Sequence, residues 1–140
     1  MTSYILINIL FTAFMTGVIW LIQLVHYPSF RYVSRDQWSQ AHQHHTKRIS
    51  WIVAPMMIAE GICRLYWIYM ELNWVSLASS CLILAVWVST FLIQVPHHQK
   101  LEKTYSIEHI EGLVSTNWIR TIGWTLSLAF LVIRFTYDFQ

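Results

Sequence analysis

Four long apolar stretches constrain what this chain can fold into. They cover residues 4–25, 49–70, 74–95 and 113–133. A bilayer core of about 30 Å is crossed by about 20 helical residues. Inside lipid the backbone has no water to bind, so a helix is the simplest element that pairs its own hydrogen-bonding groups. We therefore predict a single domain over residues 1–140 that is all-α: an integral membrane four-helix bundle, antiparallel in up-down-up-down order.

The composition agrees with a surface that faces lipid. Charged residues make up 11% of the 140 residues and hydrophobic ones 56%, whereas a soluble domain has about 25% charged residues. The predicted partner is therefore the lipid bilayer. A net charge of +2 indicates no nucleic-acid partner, and a homo-oligomer is left open. Cys63 and Cys81 both lie in apolar stretches and do not suggest a disulfide framework.

The connections between the stretches differ in length. Only Glu71, Leu72 and Asn73 separate the second and third, which predicts a tight hairpin, whereas residues 26–48 and 96–112 are predicted to be long polar loops on the opposite face. Pro28 and Pro96 are expected to end the first and third helices. Six of the nine Lys and Arg residues lie in the two long loops: Arg31, Arg35, Lys47, Arg48, Lys100 and Lys103. The positive-inside rule then places these loops in the cytoplasm and both termini outside.

All seven histidines fall at the end of the bundle where these loops lie. His26 ends the first stretch, His45 precedes the second, His98 follows the third and His109 precedes the fourth. Neutral imidazole is the commonest protein ligand for transition metals. We predict that these four bind iron, with copper or zinc as alternatives, or that two of them ligate a haem. The alternative is a solvated role at headgroup level, which is favoured for His42, His44 and His97.

Three further polar residues lie inside or next to the apolar stretches. Glu60 falls near the membrane midplane, where a carboxylate indicates a functional site, although an ion pair with Arg64 four residues later explains it equally well. Asn117 and Arg120 follow His109 on one face of the fourth helix. We expect Glu60, Asn117 and Arg120 to be the catalytic residues.

Three segments carry a resemblance to known membrane proteins. They are His26-Tyr27-Pro28-Ser29-Phe30, Val95-Pro96-His97-His98-Gln99-Lys100-Leu101 and Thr116-Asn117-Trp118-Ile119-Arg120-Thr121. The pattern resembles small four-helix bacterial membrane proteins of unknown function and, more distantly, the anthrone-oxygenase-like family. The resemblance implies a bacterial inner-membrane oxygenase acting on a hydrophobic substrate, and it singles out Pro28, Pro96, Asn117 and Arg120. His98 stands where the anthrone-oxygenase pattern tends toward Asn, which favours a metal or haem here.

These observations lead to one expected function and two alternatives. The expected function is an oxidoreductase of oxygenase type, in which a histidine-bound metal activates oxygen while Asn117 and Arg120 orient a hydrophobic, carbonyl-bearing or acidic small molecule. A haem protein with bis-histidine ligation is the first alternative. The second is a non-enzymatic role in metal or proton passage or in lipid binding, for which Glu60 is the main support.

Overall fold

The computed structural model describes residues 2–137, and four long helices account for nearly all of them. Helix α1 covers Thr2–Leu21 and continues through a π-helical turn at Ile22–His26, a short α-helix at Tyr27–Ser29 and a 3-10 turn at Phe30–Tyr32. Helix α2 is Trp38–Met70. Helix α3 covers Trp74–Ser89 and continues through a π-helical turn at Thr90–Gln94 into Val95–Lys103. Helix α4 is Ile107–Tyr137.

Each of these helices is long and apolar enough to cross a membrane. Helix α4 packs along α1 and along α3, while α2 packs against α1 and joins α3 through the short hairpin. The predicted membrane-type four-helix bundle is therefore confirmed. At about 1.5 Å per residue, the 33 residues of α2 extend to about 50 Å, well beyond a bilayer core of about 30 Å. The helices thus project past the lipid core.

The helices project mainly at the histidine end, where the sequence predicts long loops. The predicted loops at residues 26–48 and 96–112 are mostly helical. Only residues 33–37 connect α1 to α2, and only residues 104–106 connect α3 to α4. The chain also stays helical through Pro28 and Pro96, against the expectation that these prolines end their helices. A proline ring clashes with the carbonyl four residues earlier, at Leu24 and Leu92. Both of those residues lie in the π-helical turns, whose wider spacing removes the clash.

The bundle is apolar outside and polar along much of its axis. Large aliphatic side chains such as Leu10, Leu65 and Leu92 are more than 60% exposed, which suits contact with lipid tails. Buried polar side chains occur at every level of the interior, among them Asn8, Thr12, Gln23, Glu60, Arg64, Ser79, Gln94, Asn117, Arg120 and Ser127. Hydrogen bonds between such groups hold membrane helices together where no hydrophobic effect operates.

The opposite end of the bundle is closed by the predicted hairpin. Asn73 caps α3: its side chain accepts a hydrogen bond from the Ser76 backbone, and the Ser76 hydroxyl accepts one from the Asn73 backbone. Glu71 accepts a hydrogen bond from Arg134 Nε at 3.0 Å, which ties the hairpin to α4. Cys63 and Cys81 are both free thiols.

Candidate functional site

Four histidines from three helices converge at one end of the bundle. We call His26 on α1, His42 and His45 on α2 and His98 on α3 the histidine cluster. The rings of His26 and His45 are stacked, with centroids 4.1 Å apart, and the His98 ring lies 5.8 Å from His45 and 5.3 Å from His42. His42 and His45 are three residues apart, so they lie on one face of α2 because that helix begins at Trp38.

His98 lies at the centre of the polar contacts in the cluster. Its Nε2 atom lies 3.0 Å from the Tyr27 hydroxyl, and its Nδ1 atom lies 3.1 Å from Nε2 of His42. One imidazole of the His42–His98 pair donates and the other accepts, which fixes their tautomers relative to each other. The Trp38 ring stacks on His42 at 5.2 Å, and Phe30 packs edge-on against His45. These two rings cover part of the cluster, while His26 and His45 also line an open surface pocket of about 470 Å³.

Three nitrogens of the histidine cluster are buried without a partner. Nε2 of His26, Nδ1 of His42 and Nε2 of His45 make no hydrogen bond within residues 2–137. His42 is 1% and His45 8% exposed. A buried polar atom without a partner costs about 1–3 kcal/mol, so three together on adjoining rings indicate a place where an additional ligand would be stabilised.

Arg120 brings a buried positive charge next to the cluster from α4. It is 5% exposed and lies close enough to Tyr27 and His98 to act on both electrostatically. Its guanidinium lies over the Trp124 ring at 5.6 Å, and its Nε atom has no hydrogen-bond partner in the described chain. It forms no ion pair with a carboxylate of residues 2–137. A buried guanidinium of this kind suits an oxygen-bearing or anionic ligand.

Asn117 lies in a layer of amides between α1 and α4. Its Nδ2 atom donates to Gln23 Oε1 at 2.9 Å, and Gln23 Nε2 donates to the Val114 carbonyl at 3.0 Å. The Oδ1 atom of Asn117 is buried and has no partner among the described residues. Asn117 therefore holds α1 against α4 and keeps one free acceptor.

His109, the fourth predicted ligand, is not brought to the histidine cluster. It pairs instead with His97, at 5.3 Å between ring centroids. The His97 ring lies directly against Gly112 on α4, where a methyl group would overlap it. In place of His109 the structure brings in His42, which the sequence interpretation set aside as solvated. The three-residue spacing of His42 and His45 was the sequence evidence that both belong to one site. This spacing indicates a shared face only if the segment is helical.

Glu60 lies deeper in the bundle, in a network to which all four helices contribute. We call Thr12, Glu60, Arg64, Ser79, Trp124 and Ser127 the midplane network. Glu60 accepts hydrogen bonds from the Thr12 hydroxyl at 2.7 Å and from Trp124 Nε1 at 3.0 Å. Arg64 donates to Thr12, Ser79 and Ser127 at 2.6–2.8 Å and lies 3.9 Å from Glu60. The alternative explanation of Glu60, an ion pair with Arg64, is therefore present in the structure.

Trp124 links the two buried regions. Its indole lies under the guanidinium of Arg120 and donates its N–H to Glu60. Arg120 and Glu60 are thus separated by one indole ring and do not pair directly.

The histidine cluster is not arranged as a finished metal site. Among residues 2–137, no three His, Cys, Asp or Glu side chains stand so that they could hold one ion as placed. An imidazole lone pair lies in the plane of its ring, so the stacked rings of His26 and His45 cannot both face one ion until one of them turns. The chemistry of the donors fits a transition metal, while their present orientation does not yet converge on a point.

Comparison of the chain with protein-family models, curated proteins and solved structures finds no match.

Proposed function

We propose that this protein is a membrane-embedded oxidoreductase of oxygenase type whose histidine cluster binds a transition metal. The observation that carries the proposal is the close packing of four imidazoles from three helices, three of which keep a buried nitrogen unpaired. Imidazole suits iron, copper and zinc, and helix bundles build their metal sites from side chains on facing helices. His26, His42 and His45 are the proposed ligands through their unpaired nitrogens, and His98 would join them by giving up its contact with Tyr27. When bound, a redox metal would supply oxygen activation.

Arg120 and Asn117 are the proposed groups that orient the substrate. Arg120 has a buried charge without a carboxylate partner in the described chain, and Asn117 has a free amide oxygen. A hydrophobic molecule with a carbonyl or ionised oxygen would accept from Arg120, and a hydroxyl on the same molecule would donate to the free Oδ1 of Asn117. For a substrate with an activated methylene group the reaction balances without an external reductant: the methylene becomes a carbonyl, one atom of O₂ enters the product and the other leaves as water.

Elemental analysis of the purified full-length protein tests the metal site. We expect stoichiometric iron, copper or zinc in wild-type protein and its loss in the double variant His42→Ala/His45→Ala. The matched controls are His44→Ala, an exposed neighbour, and His97→Ala/His109→Ala, the histidine pair outside the cluster; both should keep the metal.

Two results would overturn the proposal. One is wild-type protein that binds no transition metal even after incubation with each ion, and the other is equal loss of metal in the control variants. An absorbance spectrum on the same samples addresses the haem alternative, because bis-histidine haem would show a Soret band.

For orientation, we propose that the histidine end faces the cytoplasm of a bacterial cell and that both termini lie outside. The support is the concentration of Lys and Arg at that end.

A further inference from the structure

A shallow groove of about 540 Å³ lies on the outer face of α2, near the histidine end. It is lined by His44, Lys47, Arg48, Trp51 and Ile52. These residues follow one another at intervals of three and four, so they form a single stripe along the helix. The groove shares no residue with the histidine cluster and so is a separate surface feature.

The stripe changes from basic to apolar over little more than one helical turn. Lys47 and Arg48 immediately precede the apolar stretch that begins at residue 49, while Trp51 is 76% and Ile52 48% exposed. Lys47 and Trp51 are about 6 Å apart along the helix axis. Tryptophan concentrates at the membrane–water boundary. This boundary therefore crosses the groove, with the basic residues at headgroup level and Ile52 at the level of the acyl chains.

The two basic side chains have no carboxylate partner in the described part of the chain. Neither Lys47 nor Arg48 forms an ion pair with a carboxylate of residues 2–137, and no Asp or Glu lines the groove. Arg31, at the same end of the bundle, is by contrast bound to Glu111 at 2.5 Å. The positive charge of the groove is therefore available to an outside group.

We propose that this groove binds an anionic phospholipid of the surrounding leaflet. Lys47 and Arg48 contact its phosphate, and its acyl chain packs on Trp51 and Ile52. The apolar half of the groove favours a lipid over a soluble phosphate, which would contact only the basic half. Anionic lipids are concentrated on the cytoplasmic leaflet, which agrees with the orientation proposed above. The site does not depend on the metal or on the proposed oxygenase activity.

Thermal unfolding and lipid retention of the detergent-purified full chain test the site. The probes are phosphatidylglycerol and phosphatidylcholine with identical acyl chains, and glycerol 3-phosphate as the soluble comparison. We expect phosphatidylglycerol alone to raise the unfolding temperature. Each basic residue contributes about 1 kcal/mol near an anionic lipid surface. The variant Lys47→Ala/Arg48→Ala should therefore retain phosphatidylglycerol roughly 30-fold more weakly. Trp51→Ala should weaken retention of the lipid as well.

The matched control is Lys100→Ala/Lys103→Ala, which removes the same charge from the same end of the bundle outside the groove. Retention in this variant should equal that of wild type. Equal loss in both double variants would show diffuse attraction to charge and overturn the proposal. Equal protection by phosphatidylcholine, or by glycerol 3-phosphate, would overturn it too.

Discussion

At the scale of single residues, the histidine end buries more imidazole nitrogens than its neighbours can pair. His98 uses both of its ring nitrogens, on Tyr27 and on His42, whereas His26, His42 and His45 each keep one buried nitrogen free. The midplane network is more fully paired, although Nε of Arg64 has no partner among the described residues. There both oxygens of Glu60 accept a hydrogen bond, and Arg64 finds three hydroxyls. The first region is suited to a ligand and the second to holding helices together.

A stability prediction follows for Glu60. In Glu60→Gln, Arg64 would stay buried without its counter-charge, and losing one partner of a buried pair costs about 3–5 kcal/mol. We expect a loss of that size in the free energy of unfolding, measured by denaturation in mixed micelles. Glu111→Gln removes a half-exposed pair with Arg31 and should cost less than about 1 kcal/mol. Equal effects of the two substitutions would contradict the assigned role of the midplane network.

Gly112 gives a second prediction at this scale. A methyl group there overlaps the His97 ring, so Gly112→Ala should displace His97 and lower stability by about 1–3 kcal/mol. Gly17→Ala is the control, since nothing lies within 4 Å of a methyl group at that position and alanine favours the helix. Thermal unfolding of both variants measures the difference. A Gly112→Ala variant as stable as Gly17→Ala would show that His97 moves without penalty.

At the scale of the helices, the two π-helical turns determine where the histidines lie. Each precedes an Xaa-Pro pair, at Tyr27-Pro28 in α1 and at Val95-Pro96 in α3. A π-helical turn inserts one residue and rotates everything beyond it relative to a regular helix. The turn in α3 thereby sets the direction from which His98 reaches Tyr27 and His42, and the helix continues far enough to carry it there.

The α2–α3 hairpin predicts a dependence on pH. Burial raises the pKa of Glu71, but hydrogen bonds from Arg134, Tyr4 and Trp67 outweigh it, so the pKa is lowered from 4.5. A carboxylate with a lowered folded pKa stabilises the fold above its unfolded pKa, and this contribution is lost as the pH falls below about 4.5 through the folded value. Glu71→Gln should therefore flatten the acid limb of the curve of unfolding temperature against pH. An unchanged acid limb in Glu71→Gln would refute the role of these hydrogen bonds.

At the scale of the whole molecule, polar groups form a column along the bundle axis. Arg120 acts electrostatically on the histidine cluster at one end, the midplane network follows below Trp124, and Glu71 joins Arg134 at the far end. The outer surface is apolar over the same length. An exposed aliphatic surface of this extent suits contact with lipid tails or with detergent.

Cysteine labelling of two connecting segments tests the proposed orientation of the bundle across the membrane. In a variant with both native cysteines replaced by serine, Ser34→Cys labels the α1–α2 connection and Leu72→Cys the hairpin; both positions are exposed. A membrane-impermeant maleimide added to intact cells should label Leu72→Cys, and it should label Ser34→Cys only after permeabilisation. The reverse pattern would invert the proposed orientation.

The number and type of elements were predictable from the sequence, because each apolar stretch must span the lipid as a helix. The short hairpin at residues 71–73 followed from its length alone. The extent of the helices at the histidine end was not predictable, since Pro28 and Pro96 indicate helix ends unless a π-helical turn removes the clash.

Which histidines form the cluster depends on how far the helices continue at the histidine end. Sequence position places all seven histidines at one end, since each adjoins the end of a span. Only the tertiary structure decides which of them meet, because a side chain's direction depends on helical phase and on packing between distant segments. Once residues 38–48 are helical, His42 turns inward with His45, whereas His109 on α4 faces His97.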